Sequence, residues 1–131
     1  MNLQVEQVAF GIGQTQILQG IDLKVQDCEI VGLIGPNGSG KSTLLKCIYR
    51  TLHPNAGQIM LNGRALDELS FRESALQMAV VAQHNQYQFD FSVMDIVLMG
   101  RMPHKKLLEG DSPEDYTIAR RALTQVGMDH M

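Results

Sequence analysis

Gly35, Pro36, Asn37, Gly38, Ser39, Gly40, Lys41 and Ser42 stand in the order G-x-x-x-x-G-K-S. Glycines at 35, 38 and 40 allow backbone angles closed to other residues and a close approach to an anion. Successive amides in such a loop form a nest that points at phosphate oxygens. A helix starting at the lysine adds the partial positive charge of its N-terminus, worth about 0.3–1 kcal/mol at an exposed site. In this pattern Lys41 is placed to reach β- and γ-phosphates, the Ser42 hydroxyl to ligate Mg²⁺, and Thr43 to touch an α-phosphate. The expected ligand is therefore a nucleotide with Mg²⁺ on its phosphates. With glycine near ~7% of residues, a chance match in a chain of this size arises on the order of once in a few hundred sequences.

The elements that must position this loop are legible around it. Residues 30–34 form an apolar run suited to a strand covered on both faces, as in a parallel sheet. After the loop, Leu45, Ile48, Tyr49 and Leu52 fall on one helical stripe, and Pro54, Asn55, Ala56 and Gly57 turn the chain. Upstream, Leu3, Val5 and residues 8–10 predict a first strand ending in a turn at 11–13. Ile21, Leu23 and Val25 alternate with polar residues as a half-buried second strand. Residues 58–61 predict a strand, Asn62-Gly63 a tight turn, and 79–82 a further strand.

Three helix starts follow. Ser70 is placed as an N-cap for a helix to about Met78, and Ser92 with Asp95 has near-capping-box spacing before Ile96, Val97 and Met99. Ser112, Pro113, Glu114 and Asp115 make the strongest start, with Tyr116, Ala119, Leu123 and Val126 as the buried face and Gly127 at C′. The expected fold is α/β, with N-terminal antiparallel strands around a P-loop and the start of a helical subdomain.

Composition narrows the function. The chain has 131 residues, 44% of them hydrophobic, and a formal charge of −3. Nucleic-acid binding needs a basic face, and Lys105–Lys106 and Arg120–Arg121 are only short pairs that read as solvated surface charge. Cys28, Cys47 and four scattered histidines have no metal-ligand spacing, and reduced thiols fit a cytosolic setting. No apolar stretch approaches the ~20 residues of a membrane span, and the start, MNLQVEQV, is unlike a secretory signal.

The segment GPNGSGKSTLL resembles the Walker A region of the ATP-binding cassette (ABC) transporter ATPases, a group of P-loop NTPases. QILQGIDLKV before it is similar to that family's N-terminal strands, and Val80, Val81, Ala82 and Gln83 resemble its Q-loop. The resemblance implies that Gln83 contacts Mg²⁺ and the attacking water and relays nucleotide state to a membrane subunit. It divides the chain into strands, P-loop and Q-loop at 1–83 and a partial helical subdomain at 84–131. VMDIVLMGR followed by Pro103 and His104 is similar to the group that imports ferric siderophores, haem and cobalamin; manganese and zinc importers share part of it. The implied partners are permease subunits, met through 84–110, and a second ATPase copy, with the protein peripheral on the inner membrane face.

Two departures stand out. The family stacks adenine on an aromatic residue in the first hairpin; here Ile12 occupies the equivalent place, and the readings are Phe10 as a substitute, with a core role for it weighed equally, or apolar contact alone. No LSGGQ-like signature occurs, and the sole Asp-Glu pair, Asp67-Glu68, does not follow an apolar strand as a Walker B motif requires. The expectation is an N-terminal piece that binds ATP with little turnover. A small P-loop kinase and a non-catalytic docking module are the rival readings. The first lacks a recognisable arginine-bearing lid; the second would bind its partner without nucleotide.

Overall fold

The computed structural model describes residues 1–82, 90–128 and 130. The chain divides into two compact units, Met1–Val80 and Val81–Met131.

In the first unit, β1 (Leu3–Ile12) and β2 (Thr15–Val25) form a long antiparallel hairpin. β3 (Ala56–Leu61) pairs with the other edge of β1, and β4 (Arg64–Ala65) closes the order β2-β1-β3-β4. Asn62 and Gly63 join β3 to β4 with φ of 52° and 79°, as the Asn-Gly signal predicts. The alternation of β1 slips once. Leu3 and Val5 are buried, then Val8 and Phe10. The extra residue lies in a bulge between the pairs Val5↔Leu23 and Val8↔Ile21. There Gln7 takes φ 49° and donates its amide to Asp22 Oδ1 at 2.8 Å. Gly57 sits against the bulge, where a Cβ would come within 2.3 Å of the Gln7 carbonyl oxygen. A side chain at 57 would break the β1–β3 pairing.

The helix α1 (Lys41–Ile48) packs Leu44, Cys47 and Ile48 into a core shared with Val8, Phe10, Leu18, Ile59, Leu61, Leu66 and Leu69. Burial pushes the Cys47 thiol pKa up. This corrects the expected stripe: Leu45 is 47% exposed, and the i, i+3, i+4 set at 44, 47 and 48 faces the core instead. A single 3-10 turn at Leu66–Glu68 leads to α2 (Phe71–Ala75), which ends before Met78 but starts at Ser70 with a full capping box.

The apolar run at 30–34 departs most from expectation. It forms no ladder among the described residues, and Ile30 and Ile34 are 100% and 95% exposed. Residues 79–82 likewise form no strand, and Val81 is 99% exposed. A strand exists only through a neighbour's hydrogen bonds, and the four strands present pair among themselves.

In the second unit, α3 (Val93–Met99) and α4 (Pro113–Gln125) each begin with a Ser–Asp capping box, at the spacing read for Ser92 and Asp95 and, at Ser112, beyond the cap and acidic first turn expected there. Leu98 of α3 and Ala119 and Leu123 of α4 are buried, whereas Tyr116 and Val126 are 40% and 68% exposed. Asp115 is buried and does two jobs. Its Oδ2 accepts from the Ser112 amide and hydroxyl at 3.0 and 2.8 Å. Its Oδ1 accepts from Arg101 Nε at 2.9 Å. Lys105 pairs with Asp111 and lies 3.9 Å from Asp115, its side chain only 12% exposed. Lys105 is therefore not the solvated charge its sequence setting predicts, because the chain folds two carboxylates around it.

The Arg101 guanidinium, then the Ser112 bonds, hold the Asp115 carboxyl well below the usual carboxylate range. A depressed pKa stabilises the fold at any pH above the unfolded value, about 4, and that contribution is lost as pH falls below it. Asp115→Asn should lower the melting temperature at pH 7. Its stability should also fall less steeply than wild type between about pH 4 and pH 2, as followed by circular dichroism. An unchanged acid profile would remove this pair from the account.

Candidate nucleotide site

Three of the four helices begin with a serine whose hydroxyl accepts from an amide in the first turn, paired with an acid that reaches back to the cap. α1 does not. Its N-cap is Gly40, no side chain caps it, and no acidic residue stands in its first turn. A helix start leaves amide donors without intrahelical partners. At α1 they receive no side-chain acceptor, and the dipole's positive end meets no negative charge.

The preceding loop has the shape the glycines predict. Gly35, Gly38 and Gly40 take φ of 152°, 82° and 90°, and residues 35–39 are exposed. Ser39 donates its amide to the Pro36 carbonyl at 3.3 Å, which closes the loop on itself. Gly40 seats the loop on β2. A Cβ there would lie 2.8 Å from Leu18 Cδ2 and 3.2 Å from the Ile17 carbonyl oxygen. Nothing in the linear sequence signalled this seat, which brings together residues far apart along the chain.

The structure brings Lys41, Ser42 and Thr43 together in the first turn of α1. Lys41 folds back across the loop: its Nζ donates to the carbonyls of Gly35 and Pro36 at 2.9 and 2.7 Å and to Ser39 Oγ at 3.4 Å. The ammonium is thus held at the mouth of the nest, beside the amides that would meet a phosphate. Ser42 is exposed and Thr43 half-buried, so the Ser42 hydroxyl is open to a cation held against such a phosphate. Asn37 is exposed at the crown of the loop. A hard cation such as Mg²⁺ keeps several waters and takes few protein oxygens, and one serine hydroxyl fits that demand.

Phe10, the expected adenine contact, is 7% exposed and belongs to the core cluster. The bulge in β1 turns its ring inward, where packing occupies it. Ile12, 66% exposed at the hairpin end, is the apolar side chain left open there. Gln83 lies outside the described residues. Among the described residues no group of three or more His, Cys, Asp or Glu is placed to hold a metal ion. No helix among them is long and apolar enough to cross a membrane.

Comparison with known proteins gives a consistent result. Residues 18–131 match the ABC transporter family. The hemin import ATP-binding protein HmuV of Gloeobacter violaceus is 39% identical over 115 residues, 88% of this chain and 41% of that protein. The iron(3+)-hydroxamate import ATP-binding protein FhuC of Bacillus subtilis is 35% identical over 127 residues, 97% of this chain and 47% of that protein. A metal-chelate type ABC transporter solved in an inward-facing conformation superposes with a TM-score of 0.73 at 27% identity, covering 98% of this chain and 46% of its own. The chain therefore spans less than half the length of these curated relatives.

The seat of Gly40 yields a prediction. Gly40→Ala forces a left-handed Cβ into Leu18 and the Ile17 carbonyl, and should destabilise the first unit by about 2–4 kcal/mol. Gly38→Ala, with no atom within 4 Å of its Cβ, should cost only the backbone term, about 1–2 kcal/mol. Denaturant titration of both variants checks this order, and equal losses would mean the loop is not seated on β2.

Proposed function

The chain belongs to the ABC transporter family, and from that premise we propose that it is the ATP-binding part of an importer ATPase acting on iron chelates. The observation that carries this reading is the uncapped N-terminus of α1, with Lys41 poised over the glycine loop. The names of the relatives, hemin and iron(3+)-hydroxamate import proteins, support the substrate class.

In this reading, ATP lays its β- and γ-phosphates in the nest formed by Gly35, Pro36, Asn37, Gly38, Ser39 and Gly40. Lys41 exchanges its two carbonyl partners for phosphate oxygens. Ser42 gives its hydroxyl oxygen to Mg²⁺, which neutralises charge on the phosphates, and Thr43 meets the α-phosphate. The adenine rests on apolar contact with Ile12 in place of a stacked ring. Gln83 completes the Mg²⁺ site and relays its state to permease subunits met through 84–110, with the ATPase peripheral on the inner membrane face. Hydrolysis needs a carboxylate beside the attacking water and the signature motif of a second copy. Residues 1–131 supply the binding contacts, which hold the ground state and do not by themselves lower the barrier.

Calorimetric titration of Mg·ATP into the chain tests the proposal. Saturable binding is expected, weakened at least roughly ten-fold in Lys41→Ala, since a charge-assisted contact is worth about 1.5–3 kcal/mol. Phosphate release should stay near the uncatalysed background. Equal affinity in Lys41→Ala would reject the site, and phosphate transfer to added nucleosides would favour a kinase.

A further inference from the structure

α1 ends in a left-handed cap. The Thr51 amide bonds the Lys46 carbonyl at 2.9 Å and the Arg50 amide bonds the Cys47 carbonyl at 3.1 Å, the two bonds of a Schellman motif. The residue in the left-handed position is Arg50, at φ 66°. Glycine is the usual occupant of that position, because a Cβ is strained there. Arginine brings a side chain that glycine would lack, and every polar contact it makes is with the segment around α2. Its Nη1 donates to the Leu69 carbonyl at 2.9 Å and to Ser74 Oγ at 3.2 Å. Its guanidinium also lies 4.2 Å from the centroid of the Phe71 ring.

Two exposed contacts also reach this segment, Arg64 donating to Glu73 Oε1 at 3.3 Å and Asn62 Nδ2 to Gln77 Oε1 at 2.7 Å, whereas those of Arg50 are part-buried. α2 is five residues long, too short to persist alone. Phe71 is 71% exposed and Leu76 45%, and Ser74 is its one buried residue. Arg50 grips both sides of the Ser70–Glu73 capping box: Leu69 just before it and Ser74 just after.

We propose that Arg50 is a positioning residue that fastens the phosphate-binding helix α1 to α2, so that nucleotide binding at the head of α1 is felt in residues 71–78. α1 is eight residues, a rod of about 12 Å at ~1.5 Å per residue. Its first turn is the phosphate site, and its last residue abuts the cap that Arg50 completes. The inference rests on the nucleotide reading above for what moves α1, but not for the clasp itself.

Hydrogen exchange measured by mass spectrometry on the full chain tests it, comparing wild type, Arg50→Gly and Arg50→Lys with and without Mg·ATP. Arg50→Gly keeps the left-handed cap without strain and removes only the clasp. Without nucleotide, residues 71–78 should exchange roughly ten-fold faster in Arg50→Gly while residues 41–49 stay as in wild type. Arg50→Lys, with one donor group in place of a planar fork, should fall between. With Mg·ATP, protection should rise in both segments of wild type but only in 41–49 of Arg50→Gly. Exchange in 71–78 unchanged by Arg50→Gly, or a nucleotide response there that survives it, would overturn the clasp. A wild-type chain that takes up no nucleotide would reject the proposed function, and the nucleotide-free comparison would still decide the role of Arg50.

Discussion

The first turn of α1 presents amide donors that no side chain among the described residues caps, and the first unit is arranged to keep them in place. Buried amides without partners are costly, so such a turn persists only where it is open to solvent and anchored from behind. The anchor is the contact of Gly40 with Ile17 and Leu18 on β2. Behind it, Leu44, Cys47 and Ile48 fix the helix on the sheet. The bulge at Gln7 sets the phase of β1, and so decides that Val8 and Phe10 pack inward; Ile12, past a further register shift between Phe10 and Gly11, stays open at the hairpin end. Local choices in the hairpin thus determine where the loop sits.

Much of this was legible in the sequence, for physical reasons that differ by element. The glycines at 35, 38 and 40 could be read because the backbone angles they permit are a property of the residue itself. The starts at Ser70, Ser92 and Ser112 could be read because a capping box is local, closing within four residues. The Asn62-Gly63 turn belongs to the same class. What failed depended on distant neighbours. Residues 30–34 look like a buried strand, but burial needs partners, and Ile30 stands fully exposed. Phe10 looked like a base contact until the bulge turned it into the core. Lys105 looked like surface charge because Asp111 and Asp115 reach it only through the fold.

The exposed runs at 30–34 and 79–82 and the uncapped helix have a common character. In each, the residues are suited to a partner that the other described residues do not supply: a neighbouring strand for the first two, a phosphate for the third. The family match, residues 18–131, includes all three.

The account's central claim is that the amides at the head of α1 are the phosphate site. Its most direct test is the ¹H–¹⁵N spectrum of the ¹⁵N-labelled chain titrated with Mg·ATP. The account predicts that the amide resonances of Gly38, Gly40, Lys41, Ser42 and Thr43 move together and saturate, with the largest shifts in the loop. Shifts confined to other parts of the chain, or none in this turn at saturating nucleotide, would contradict it.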